Sequence, residues 1–130
     1  LFEVVGNGMD NLPDQVVKGD PYHVTKIHFE SPDGGLISGT WISTPGKWHA
    51  FTERDEFCSI LSGHVQLISE EGEVQDFKAG DAFLVPNGFR GYWNVIETAK
   101  KHFVIRFAQQ DGSKLKKSKK RYLKVKLKIK

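Results

Sequence analysis

The sequence predicts a single all-β domain, a small antiparallel barrel. Three observations lead there: short strand-like runs at regular spacing, turn residues between them, and no helical periodicity before residue 97. The 130 residues suffice for one domain whose core needs neither disulfide nor metal. From Val24 onward, runs rich in β-branched and aromatic residues are expected as strands near 24–30, 36–43, 47–52, 56–62, 64–69, 73–78, 82–86, 90–96 and 101–107. The breaks Ser31-Pro32-Asp33-Gly34-Gly35, Pro45-Gly46, Glu70-Glu71-Gly72, Ala79-Gly80-Asp81 and Pro86-Asn87-Gly88 supply the Gly, Asn and Pro that tight turns need. Gaps this short admit only hairpins, so the strands run antiparallel. Alternation groups Glu56, Cys58 and Ile60 on one face against Phe57, Ser59 and Leu61, and Gly91, Trp93 and Val95 against Tyr92, Asn94 and Ile96. Residues 1–22, with five Gly or Pro among scattered acids, read as an N-terminal arm; residues 23–110 form the barrel and 111–130 a basic tail.

Charge narrows the function. The net charge is +3, yet ten of the 19 basic residues lie from Lys114 onward, where no acid occurs. The rest of the chain holds nine basic residues against 16 acidic ones, a net charge of −7, which does not suit a nucleic-acid surface. No apolar run approaches the roughly 20 residues that span a bilayer, so no membrane role is expected. Cys58 is the sole cysteine and no signal-type segment opens the chain, so the expected home is the reducing cytoplasm. The alternating Leu123, Val125, Leu127 and Ile129 of the tail suit a cationic edge strand, and its charge is the chain's only route to nucleic acid or an anionic membrane. The abrupt change at Gly112-Ser113-Lys114-Leu115 resembles an appended junction, and the tail is expected to be dispensable. There is no Gly-rich phosphate loop, zinc-finger spacing or Gly-x-Ser-x-Gly elbow.

Two spaced motifs sharpen the fold. Gly46-Lys47-Trp48-His49-Ala50-Phe51-Thr52-Glu53-Arg54-Asp55-Glu56, with Gly63 seven residues on, resembles the first cupin motif. Gly80-Asp81-Ala82-Phe83-Leu84-Val85-Pro86-Asn87-Gly88 resembles the second, and Glu70-Glu71-Gly72-Glu73 is the turn expected between them. The resemblance covers about residues 36 to 107 and implies a jelly-roll barrel, a single cupin domain whose strands enclose a pocket. In Gly39-Thr40-Trp41, Thr44-Pro45-Gly46, Asp55-Glu56-Phe57-Cys58, Ile60-Leu61-Ser62-Gly63, Gly88-Phe89-Arg90-Gly91-Tyr92-Trp93 and Lys100-Lys101-His102 the chain is similar to the ureidoglycine aminohydrolase-type cupin domains and to the ethanolamine-utilisation cupins. One fold hosts many chemistries, so this implies fold more than reaction.

Metal-dependent cupins place two histidines before the motif glutamate and a third after the second motif. In this chain those places fall on Ala50 and Thr52, or on His49 and Phe51, and then on Gly91; only Glu56 matches cleanly, with His49 as a second ligand at the wider spacing. A divalent transition metal would have His49, Glu56 and His102 as its candidate ligands, short of a convincing set.

Glu56 stands in an otherwise apolar strand, where burial would raise its pKa and suit it to acid or base work; the plainer alternative is an exposed strand end beside Arg54. His49 and His102 are candidate partners or ligands, against the alternative of satisfied barrel histidines. Lys101 has two expected partners, a substrate carboxylate or Glu56, but a regular strand cannot turn both Lys101 and His102 inward. Trp41, Tyr92 and Trp93 are candidate pocket walls, like Trp48, although most barrel aromatics are simply core. Cys58, on Glu56's face, is a candidate ligand contact or a small packing residue. The leading function is a small-molecule-binding cupin, an enzyme of the ureidoglycine aminohydrolase kind on a small polar nitrogen-containing metabolite being its catalytic form. The rival is a noncatalytic ligand-sensing or interaction module. In either case aromatic-rich outer strands make a homodimer expected.

Overall fold

Ten strands account for the regular structure among the described residues, which are 2–6, 16–107 and 128–129 of this computed structural model. In chain order they are β1 (Phe2–Gly6), β2 (Val16–Lys18), β3 (His23–Glu30), β4 (Leu36–Ser43), β5 (Gly46–Phe51), β6 (Arg54–Ser69), β7 (Val74–Lys78), β8 (Ala82–Val85), β9 (Arg90–Phe107) and β10 (Lys128–Ile129). All pairings are antiparallel and link the strands into one sheet along the path β1-β3-β4-β9-β6-β8-β10. β5 pairs with β2 and β9, and β7 with β6. The sheet curls into a barrel because β6 and β9 serve both walls. Arg54–Ile60 pairs with Lys101–Phe107, alongside β4 and β8, whereas Val65–Ser69 pairs with Gly91–Val95, alongside β5 and β7. This is the all-β jelly roll that the turn spacing and motifs predict. No helix among the described residues is long and apolar enough to cross a membrane.

Residues 56–62 and 64–69, expected as two strands, are one, as are 90–96 and 101–107. Gly63 is the reason: its φ of +89° lies in the left-handed region, and the register between β6 and β9 shifts three times between Ile60 and Val65. The chain is bulged and bent there without ending. Residues 1–22, read as a loop-rich arm, contribute β1 to the edge at β3 and β2 to the edge at β5. Glycine and proline dominate that composition, yet short β-formers such as Val16-Val17 pair where a sheet edge is offered. Of the tail, Lys128–Ile129 pairs with Ala82 and Phe83 of β8; residues 108–127 and 130, on which the expectation of a dispensable tail also rests, lie outside the described residues.

The barrel interior has two different ends. At one, Phe77 and Phe83 stack with centroids 3.8 Å apart, and Ile60, Val65, Leu67, Val85 and Val95 close around them almost without exposure. Each such side chain contributes roughly 1.5–3 kcal/mol by leaving water. At the other end, between β3, β4, β5 and the joined ends of β6 and β9, the interior is not filled. On the outer face Leu36, Phe57 and Val104 each stay about 40% exposed.

Gly63 therefore carries two demands, and glycine alone meets both. A Cβ there would run into the Thr98 carbonyl oxygen and come within 2.6 Å of the Ala99 Cα. Gly72 has a similar φ of +90° but no atom within 4 Å of its would-be Cβ. Gly72→Ala is expected to lose about 1 kcal/mol, the dihedral strain alone, and Gly63→Ala about 3 kcal/mol, since backbone must also move. Thermal melts of the two variants check this; equal falls in Tm would mean that close packing at Gly63 carries no weight.

Candidate functional site

The strand that opens the first wall begins Arg54-Asp55-Glu56-Phe57-Cys58, and its alternation sends Arg54, Glu56 and Cys58 inward while Asp55 and Phe57 face out. Asp55 anchors this start: it accepts a hydrogen bond from the Asn87 backbone N–H at 2.8 Å and pairs with Arg106 at 2.8 Å. On β9 the same rule directs Trp93, Lys101, Phe103 and Ile105 inward. Lys101 lies opposite Ile60 in register, whereas Glu56 lies opposite Ile105, four residues further along β9. The long lysine chain bridges that offset by lying along the interior, its methylenes against apolar walls.

The result is a buried polar cluster. Lys101 Nζ donates to Glu56 Oε2 at 2.7 Å and approaches Cys58 Sγ at 3.6 Å, and the Cys58 thiol donates to the same glutamate oxygen at 3.4 Å. The two charged side chains are 5% and 6% exposed. Lys101 Nζ also sits 4.4 Å from the ring centre of Trp41 and 4.2 Å from that of Trp93, so two indole faces complete the ammonium's surroundings. Arg54 stands above, 3.8 Å from the other Glu56 oxygen, with a side chain 42% exposed.

Electrostatics keep this cluster charged where it should be. Burial pushes the Glu56 carboxyl up, but the opposing pull of Lys101 and Arg54 and the hydrogen bonds it accepts win, and its pKa lies below the ordinary value. Burial likewise opposes the Lys101 ammonium, yet the Glu56 carboxylate facing it, by charge and by hydrogen bond, holds its pKa above the ordinary lysine value. Cys58 goes far up, through burial and the nearby glutamate, so it stays a thiol. The expectation of a raised Glu56 pKa is thus corrected: the sequence shows the apolar strand but not the lysine that reaches across it.

Around the cluster lies a cavity of about 320 Å³, lined by His23, Trp41, Trp48 and Trp93 together with Ile27, Ile37, Phe103 and Ile105. A second hollow of about 340 Å³, lined in part by His49, Thr52 and Glu53, adjoins it across Arg54 and Glu56. The structure brings Glu56, Lys101, Trp41 and Trp93 together at the cavity, with Cys58 tucked behind Glu56 against the core. Two candidates do not join them. His102 points outward, its Nδ1 3.2 Å from the Thr40 hydroxyl, because Lys101 takes the inward place on the regular strand. Tyr92 faces out for the same reason of parity, its ring tilted against that of His49 at 4.7 Å and lying under Lys47. Arg54, His23 and Ile27 were missed as site residues. Arg54's signal was present, since it shares Glu56's parity two residues earlier; His23 stands one residue before the strand expected at 24–30.

The residues at hand do not fit a cupin metal. Glu56 is committed to Lys101, the His49 ring lies on the outer side of β5 with Tyr92, and the Thr52 hydroxyl donates to the Pro86 carbonyl at 2.9 Å. A Cβ at Gly91 would meet the Ile68 carbonyl oxygen. Among the described residues no three His, Cys, Asp or Glu side chains come together.

Comparison with known proteins agrees with this fold. The model of the EutQ-like cupin domain matches residues 30–103. Among solved structures, the EutQ protein of Clostridium difficile superposes with a TM-score of 0.60 at 19% identity, over 68% of this chain and 71% of that one. An ethanolamine utilization protein Q of Salmonella typhimurium gives 0.59 at 20% identity, over 70% and 72%. A protein of unknown function from Pseudomonas syringae gives 0.71 at 22% identity, over 81% of this chain and 44% of its own. No curated protein matches the chain.

The charged pair sets a pH window for stability. Glu56 titrates lower in the fold than in the unfolded chain, so its contribution is complete above about pH 4.3 and is lost as pH falls through the folded value. Lys101 titrates higher in the fold, so its contribution is complete below about pH 10.4 and is lost as pH rises through the folded value. Lys101→Met, which strands a buried carboxylate, is expected to cost about 3–5 kcal/mol at pH 7 and to recover part of this when Glu56→Gln is added. Urea unfolding of the double-mutant cycle from pH 3 to pH 8 measures it; additive losses without pH dependence would contradict the pairing.

Proposed function

This chain belongs to the EutQ-like cupin domain family, and on that premise we propose that its barrel is a binding site for a small organic molecule. The cavity of about 320 Å³ carries the reading: three tryptophans wall it and a satisfied ion pair closes its inner side. Its volume lies at the small end of the roughly 300–1,000 Å³ range of ligand sites, and its lining has the usual make-up of apolar walls with a few placed polar groups. Binding stands ahead of acid–base catalysis. A general acid or base works best with a pKa near the operating pH, whereas here Glu56 is held low and Lys101 high, each by the other. An enzyme acting on a nitrogen-containing metabolite would first have to draw one of the pair away from its partner. The sensing or carrier role asks for no such step.

A thermal-shift screen of small metabolites tests the reading. A ligand at 100 times its dissociation constant stabilises the native state by about 2.7 kcal/mol. Ile37→Trp, placed on the inner face opposite Ile105, fills the cavity. We expect it to abolish the shift while the protein stays folded by far-UV circular dichroism. Undiminished shifts in Ile37→Trp would put the binding site elsewhere.

A further inference from the structure

Charge and shape within the cavity narrow the ligand further than its volume does. The inner cavity is lined by three charged side chains, Arg54, Glu56 and Lys101. Glu56 and Lys101 neutralise each other at 2.7 Å, with the thiol of Cys58 and the rings of Trp41 and Trp93 taking up the rest of their surroundings. Arg54 is different. Its nearest approach to Glu56 is 3.8 Å, beyond hydrogen-bond distance, and its guanidinium makes no hydrogen bond to another described residue's side chain. A guanidinium is charged at any working pH and presents a planar fork of donors that matches a carboxylate. These three side chains thus carry one net positive charge, and Arg54 is the most exposed of them. Glu53, an exposed residue, lines the adjoining outer hollow and not the inner cavity.

Beyond the charged groups the lining is mostly aromatic and aliphatic, with His23 and Thr25 as its other polar residues. The rings of Trp41 and Trp93 stand 6.0 Å apart, Trp41 and Trp48 6.2 Å apart, and Ile27, Ile37 and Ile105 belong to the same lining. Such walls bind a planar or branched apolar body by stacking and burial.

We propose that the ligand is a small monocarboxylate with a flat apolar body, its carboxylate on the Arg54 fork and its body between the tryptophans and the isoleucines. The proposal rests on the binding reading above. Two cations against one carboxylate leave a surplus of one positive charge, which selects one negative charge on the ligand; a second negative charge, carried inward, would meet Glu56, and a cationic ligand would meet Arg54.

Benzoate, benzamide, benzylammonium and phthalate are matched probes of body and charge, and quenching of tryptophan fluorescence reports their binding to the full chain. Benzoate is expected to bind roughly tenfold to a hundredfold more tightly than benzamide, as a charge-assisted contact adds, with phthalate and benzylammonium weaker than benzoate. In Arg54→Gln, which leaves the Glu56–Lys101 pair in place, benzoate should fall to the level of benzamide while benzamide is unchanged. Circular dichroism and the Tm of that variant verify that it is folded. Benzamide or benzylammonium binding as well as benzoate, or benzoate binding unaltered in Arg54→Gln, would overturn the monocarboxylate assignment and leave the binding reading standing. Failure of all four probes to quench would overturn both.

Discussion

The pairing of Glu56 with Lys101 is the interaction on which the rest of this barrel depends. Two charges taken out of water are each costly, and their mutual attraction offsets that cost only when the geometry is close and the remaining hydrogen-bonding capacity is used. Here the separation is 2.7 Å, the carboxylate accepts from the thiol as well, and two indole faces surround the ammonium. A pair of this kind adds little net stability but penalises any arrangement that separates its members. It holds β6 and β9 in the register that sets Arg54, Glu56 and Lys101 along one line of the interior. The polar cluster also explains why the barrel is unfilled at this end. Apolar packing dense enough to close the cavity would have to come between the charges or strip water from Arg54.

The same pair gives the interior a cation of its own. Glu56 stands where the family resemblance places the carboxylate of a metal site, and the group it meets is a tethered ammonium. With that position satisfied from within the chain, the neighbouring ligand places are free for packing. Ala50 is core, Thr52 ties β5 to the turn after β8, and Gly91 lets β9 cross close to β6. A tethered ammonium does not exchange with the medium and offers no open coordination position. It donates hydrogen bonds and charge, which suits recognition.

The fold was legible because it is written in local chemistry. Turn residues recur at short intervals, and the period-two pattern correctly separates Glu56, Cys58 and Ile60 from Phe57, Ser59 and Leu61. The continuity of β6 and β9 was less legible, since a glycine that bends a strand and a glycine that ends one look alike in sequence; what distinguishes Gly63 is the nearness of the Thr98 carbonyl, a tertiary fact. The site divides in the same way. Parity shows that Lys101 and His102 cannot both enter the pocket but not which one does, and the answer comes from the length of the lysine chain and the carboxylate four pairs away. Tyr92 shared its segment with Trp93 and lost its place by parity. Arg54 was readable from the strand alone, and His23 was not, because it precedes the first expected strand residue, Val24.

The charge state of the Lys101 side chain is the most direct measure of this account. Nitrogen-15 NMR of selectively labelled lysine, with Lys101→Arg to assign the signal, distinguishes an ammonium from an amine and follows its titration. A buried ammonium paired with Glu56 is expected to give a slowly exchanging signal at neutral pH, to remain protonated after the surface lysines have titrated, and to respond when Glu56 is changed to Gln. A Lys101 amine already neutral near pH 8, or one indifferent to Glu56→Gln, would contradict the account at its centre.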